Sequence, residues 1–180
     1  MLELLTLIHQ CAPYAAPETV KAVIQTESRG NPLALNVNGK MQLQYLPRTF
    51  DEAVGWANWL INRGYSVDLG LMQINSHNLT RFNMTPADAF DPCRNIQAGT
   101  ELLTEQYTRA KQIHGEGNKA LLHAISAYNT GNFQSGFHNG YVDKVVTNAL
   151  GPPPPAHVDQ NPNTTARMNK DVAAIAAKAR

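Results

Sequence analysis

The sequence predicts a compact, mostly α-helical domain with little or no sheet, and three observations carry that prediction. Apolar residues recur at helical spacing in successive stretches between positions 17 and 150. Those stretches are fenced by prolines, capping side chains and glycines that start or stop helices. Alternating strand patterns are almost absent. The 180 residues are 43% hydrophobic and 16% charged, enough apolar material for the core of one domain and too much for a disordered chain.

The elements follow in order. Leu4 to Ile8 is mostly apolar, but the run is short, follows Glu3 and lacks a basic start, so it is not a complete secretory signal. The sequence then fits either a cytosolic chain or one that begins near a mature N-terminus, with Met1 supplied for expression. Pro17-Glu18-Thr19 opens the first strong helix, Val20, Val23, Ile24 and Glu27 follow at helical spacing, and Gly30 with Pro32 closes it. Glu27 falls in the last turn beside an apolar face, a costly place for a surface carboxylate and a useful one for an acid; a helix that frays early would leave it solvated.

Thr49-Phe50-Asp51-Glu52 has capping-box spacing ahead of the stripe Ala53, Val54, Ala57, Leu60 and Ile61, which Gly64 ends. Trp56 and Trp59 lie beside that stripe, in the core or at its margin, with lining a sugar-binding groove as the other option. Thr85-Pro86 and Asp91-Pro92 are both N-cap and proline signals, and the second opens a long helix through Ile96, Leu103, Tyr107 and Ala110 to Gly115. Ala120 to Tyr128 and Tyr141 to Ala149 are two further helices. The domain is therefore placed at 1–150. From 151 to 180 four prolines, a polar stretch and an alanine-rich end form a tail expected to be flexible or weakly packed, with docking to a partner as the alternative.

Composition excludes several classes of function. Lys+Arg 15 against Asp+Glu 14 leaves a formal charge of +1, which does not suit a nucleic-acid binder. No apolar run is long enough to span a bilayer, so no stable membrane insertion is expected. The six histidines show no metal-ligand spacing, and HExxH, P-loop and nucleophile-elbow motifs are missing, so neither metal nor cofactor is expected.

What remains points to sugar chemistry. Glycoside cleavage needs an acid for the bridging oxygen and usually a second group for the cation that forms. Glu27 and Asp68 are the candidate pair, with burial raising the pKa of Glu27 and a wetter Asp68 staying ionised; Asp68 reads equally well as a turn residue beside Gly70. Gly70 would let a polymer approach the backbone, and Gln73 and Asn75 offer amides to its hydroxyls. Tyr128 and Asn129 stand at a helix end, where the phenol either orients Glu27 or meets a sugar ring.

These residues also carry a resemblance. Glu27-Ser28-Arg29-Gly30-Asn31-Pro32, Gly70-Leu71-Met72-Gln73-Ile74-Asn75 and Ala127-Tyr128-Asn129-Thr130-Gly131 resemble, in order, three motifs of the soluble lytic transglycosylase family. Tyr141 is similar to the aromatic that follows them. Early Cys11, Phe90-Asp91-Pro92-Cys93, Asn38-Gly39 and the segment Pro47 to Ala53 resemble the members that serve type IV secretion and conjugation systems. Asp68 departs from the central pattern and is similar to the aspartate of animal-type lysozymes.

The resemblance implies a lysozyme-like helical fold of the goose-type kind and periplasmic cleavage of peptidoglycan glycan strands for a secretion or conjugation machine. Glu27 would protonate the bond between N-acetylmuramic acid and N-acetylglucosamine, then deprotonate the muramyl C6 hydroxyl so that a 1,6-anhydro end forms. Asp68 would assist without attacking, its side chain bonded near the Gly70 turn. Gln73, Asn75, Tyr128 and Asn129 would hold the sugars in a groove, Met72 would be an apolar floor under a ring, and Tyr141 would stand at one edge. An oxidising periplasm further implies a Cys11–Cys93 disulfide. The alternatives are a lysozyme-type muramidase using Glu27 and Asp68 with water, and a catalytically idle peptidoglycan-binding or scaffold protein.

Overall fold

Helix caps written in the sequence set most of the chain path in the computed structural model, which describes residues 2–41 and 43–151. Apart from Gly151, the expected tail lies outside the described residues. The helices are α1 (Leu2–Cys11), α2 (Pro17–Glu27), α3 (Phe50–Ile61), α4 (Pro92–His114), α5 (Asn118–Thr130), α6 (Ser135–His138) and α7 (Tyr141–Leu150). Thr49 accepts from the Glu52 amide at 3.2 Å, and Glu52 returns the contact one residue early, to the Arg48 amide at 2.8 Å. Asp91 caps α4 by accepting from the Arg94 amide at 2.8 Å, with Pro92 at the first helical position.

The core gathers where the apolar stripes meet. Val20, Ala22, Val23 and Ile24 of α2 are fully buried, as are Ala53, Ala57 and Leu60 of α3 and Ile96 of α4. α5 packs along α4, and α7 returns to lie against α2, which brings residues more than a hundred positions apart onto the end of α2. Among the described residues no helix is long and apolar enough to cross a membrane.

Three features differ from the sequence expectation or add to it. Leu2–Cys11 is a helix, with Ile8 in the core, although its short apolar run gave no helical start signal. Thr85-Pro86 opens only a turn: Thr85 and Asp88 cap each other, and a single 3-10 turn, Asp88–Phe90, follows before Asp91 begins α4. A small antiparallel sheet joins β1 (Leu35–Val37), β2 (Val67–Leu69) and β3 (Ile74–Asn75) in that order, pairing Asn36 with Asp68 and Asp68 with Asn75. Strands this short leave little alternation to read in a sequence.

Cys11 and Cys93 form a disulfide with Cα atoms 5.2 Å apart, which ties the end of α1 to the start of α4. Trp56 and Trp59 do not enter the core. They are 41% and 40% exposed, because Ala53, Ala57 and Leu60 already fill the buried side of α3.

Candidate active site

Glu27 is the last residue of α2, and the turn behind it is well tied. The Ser28 amide donates to the Ile24 carbonyl at 3.0 Å, and the Ser28 hydroxyl reaches the same oxygen at 3.2 Å. Arg29 and Gly30 then take φ values of 57° and 81°, so two left-handed residues turn the chain sharply away from the acid. The end of the helix is not frayed.

The phenol that reaches Glu27 belongs to Tyr141, at the start of α7; its hydroxyl donates to Oε1. Tyr141 is only 7% exposed, so it stands behind the acid and not at the edge of the groove. Tyr128 donates elsewhere, to the Met72 carbonyl at 2.7 Å. Burial pushes the Glu27 pKa up to about 7; the Tyr141 hydrogen bond opposes that rise and the nearby Asp68 carboxylate adds to it. Burial, with Glu27 facing them, holds both phenols above their ordinary range, so each stays a hydrogen-bond donor.

Asp68 sits on the same sheet face as Ser66, since strand side chains alternate, while Val67 and Leu69 are fully buried beneath. Its Oδ1 accepts from the Asn75 amide nitrogen at 2.7 Å and its Oδ2 from that of Asn38 at 3.0 Å. Both amides also donate to the Ser66 hydroxyl, at 2.9 Å and 3.3 Å. The carboxylate is thus clamped by side chains of the neighbouring chain segments, not by the Gly70 turn.

The loop after β2 is held from inside the protein. Gly70 has φ 76°, and a Cβ there would lie 2.3 Å from both the Ala89 carbonyl and the Asn95 side-chain nitrogen. Its lack of a side chain admits Asn95, not a glycan. Asn95 is fully buried on α4; it accepts from the Met72 amide at 2.7 Å and donates to the Leu69 and Ala89 carbonyls at 2.8 Å and 2.7 Å. Met72 is fully buried against Gly99 of α4, which leaves just the space for its thioether. It forms no floor for a sugar. Gln73 takes a left-handed φ of 51°; its side chain donates to the Gly70 carbonyl at 2.8 Å and accepts from Asn36 at 2.6 Å.

Glu27, Asp68, Gln73, Asn75, Tyr128 and Asn129 nevertheless line one open cleft of about 310 Å³, together with Asn38, Ser66, Asn78 and Leu102. Asn129 is braced by Asn139, which donates to it at 3.0 Å. Asn95 and Ser66 escaped the sequence reading. The only hints were an amide among the apolar positions of α4 and a hydroxyl two places before Asp68. Among the described residues no cluster of three His, Cys, Asp or Glu side chains is placed to hold a metal ion. The arrangement presents one half-buried proton donor facing an amide-rich wall and a fixed carboxylate.

A family model described as "Transglycosylase SLT domain" matches residues 6–150. The chain is 41% identical over 155 residues to the type IV secretion system protein virB1 of Brucella abortus biovar 1 (strain 9-941), covering 83% of this chain and 65% of the relative. It is 39% identical over 155 residues to protein virB1 of Agrobacterium fabrum (strain C58 / ATCC 33970), covering 81% and 59%. The chain therefore spans less than two thirds of the length of these curated relatives. No solved structure matches it at a significant level.

Proposed function

The chain belongs to the transglycosylase SLT domain family, and from that premise we propose that it is a peptidoglycan lytic transglycosylase. It cleaves the β-1,4 bond between N-acetylmuramic acid and N-acetylglucosamine and leaves 1,6-anhydromuramic ends. The work is done in the periplasm, on glycan strands, and opens the wall locally for a type IV secretion or conjugation apparatus. The names of the relatives support that setting.

The observation that carries the chemistry is Glu27, an acid with a pKa near 7 whose Oε1 is already occupied by Tyr141. Its proton therefore rides on Oε2, free to pass to the glycosidic oxygen as the bond to the anomeric carbon breaks. The cation left behind is steadied by the substrate's own N-acetyl group and by the Asp68 carboxylate. Glu27, now ionised, accepts the proton of the muramyl C6 hydroxyl, whose oxygen closes on the anomeric carbon. No water is consumed, and Glu27 ends protonated as it began. Asn75, Tyr128 and Asn129 line the cleft where the sugars would be held close enough for that ring closure to be effectively intramolecular.

Asp68 supports this chemistry without forming a bond. Both of its oxygens are engaged by amides, which fixes them in place and lowers their reach as nucleophiles. A second reading is a muramidase in which water attacks and Asp68 shares the catalysis; the two carboxylates sharing one cleft favour it. Mass spectrometry of the muropeptides released from purified sacculi separates the two, because an anhydro end and a reducing end differ by one water. Anhydro products are expected, released more slowly by Asp68→Asn but otherwise unchanged. Reducing ends from the unmodified enzyme would make it a hydrolase.

A further inference from the structure

Helix α3 carries an aromatic strip that the cleft chemistry leaves unused. Six of the nine large apolar side chains exposed among the described residues lie between positions 45 and 65. Trp56 and Trp59 sit edge to face with ring centroids 5.7 Å apart. The Arg63 guanidinium lies 4.0 Å from the centre of the Trp59 ring and donates to the Trp59 carbonyl at 3.4 Å. These contacts tie the two exposed rings to each other and to Arg63.

Beside the rings lies a shallow recess lined by Glu52, Gly55, Trp56 and Trp59. A Cβ at Gly55 would meet nothing within 4 Å, so neither packing nor backbone geometry calls for glycine there. Glycine is also a poor helix former, so its presence there runs against helix propensity. Asn58 and Asn62 are exposed on the same outer side of the helix, so amides border the rings. Apolar ring faces beside a shallow recess, bordered by amides and charges, suit a pyranose, which offers C–H groups on its faces and hydroxyls around its rim.

The strip is also near the cleft along the chain. Ser66 lines the cleft, its neighbour Tyr65 is 37% exposed, and the Tyr65 amide donates to the Leu60 carbonyl at 3.1 Å, against the last turn of α3 beside Trp59. Tyr65 and Trp59 are thus the exposed aromatic side chains that most closely precede Ser66 along the chain. We infer that Tyr65, Trp59 and Trp56 form a second glycan-binding site, continuous with the cleft, on which the strand beyond the cleavage point rests. The inference builds on the reading of the cleft as a glycan site. The rival class of occupant is a protein partner.

Trp56 and Trp59 are the only tryptophans in the sequence, so intrinsic fluorescence reports on this strip alone. The test uses the full chain carrying Glu27→Gln, with a disaccharide and a long β-1,4-linked oligomer of N-acetylglucosamine as probes and calorimetry to measure binding. The long oligomer is expected to change tryptophan emission where the disaccharide does not. Trp56→Ala and Trp59→Ala should each weaken the long oligomer roughly tenfold, about the worth of one stacked ring, and flatten the dependence on length. The phenylalanine variants, which keep a ring, should lose less. A long oligomer that binds calorimetrically with silent tryptophans overturns this inference alone and leaves α3 as a protein-docking face. Binding of neither oligomer overturns the glycan reading of the cleft and this inference with it.

Discussion

Glu27 is made an acid by the cost of giving it a charge. Replacing it by glutamine keeps the shape and removes the proton, so cleavage should fall by a factor of about 10²–10⁴ while glycan binding persists, as product release and calorimetry would record. In the unmodified protein the Glu27 proton is lost as pH climbs through about 7, and the rate of the proposed cleavage should fall along that limb. The same group sets a stability trend. Its folded pKa lies above the ordinary value of 4.5, so between 4.5 and about 7 the folded state holds a proton that the unfolded chain has released. Stability therefore declines as pH rises through that window, and the full cost is present above it. Glu27→Gln should equal the unmodified protein in urea unfolding at pH 4 and exceed it at pH 8, by at most about 3 kcal/mol at about 1.4 kcal/mol per pKa unit. Tyr141→Phe works in the opposite sense on the acid. The hydrogen bond it removes favours the ionised form, so the alkaline limb of the rate profile should move to higher pH. That burial would raise the Glu27 pKa was legible from its place on an apolar helix face. Which tyrosine holds it was not, because Tyr141 reaches it across 114 positions and only the packing of α7 against α2 makes the match.

At the scale of elements, the helices were legible because their signals are local. Thr49, Asp91 and Pro17 each announce a start within one turn of it. The sheet was not, because β3 is two residues long and its register comes from Asp68 meeting Asn75 across the ladder. Trp56 and Trp59 were misplaced for a related reason: the stripe they border is already complete with small residues, and a tryptophan one step around the helix faces water. The loop between β2 and β3 shows how the site depends on an element outside it. Asn95 supplies from α4 the three hydrogen bonds that this loop cannot make for itself. Asn95→Ala strands the Met72 amide and two carbonyls in the core and should cost about 2–4 kcal/mol. Gly70→Ala meets both a left-handed φ and a 2.3 Å clash with backbone oxygen, and should cost about 3 kcal/mol or more. Urea midpoints would check both, and each variant should lose activity beyond its loss of folded protein, since Gln73 is positioned by the same turn.

The whole molecule is held across its sequence by the Cys11–Cys93 bond, which spans 82 positions. On the loop-entropy account such a closure contributes about 4 kcal/mol, so reduction should lower the urea midpoint by a matching amount, and a double alanine variant should be insensitive to reductant. Two cysteines pointed to a pairing only once a periplasmic setting was implied. Geometry adds what composition could not, namely which parts of the site the bond encloses. Glu27, Asp68, Gln73 and Asn75 all lie on the covalent hoop it closes, whereas Tyr128, Asn129 and Tyr141 lie on the chain that leaves it. One lip of the cleft is a closed ring and the other is a strap laid across it. A protease that cuts the exposed stretch before α3 would break the backbone yet release no fragment, and the pieces would part only in reductant. A cut in the turn after Gly131 would instead leave the strap that carries Tyr141 attached by its packing alone, while Glu27 stays on an intact hoop.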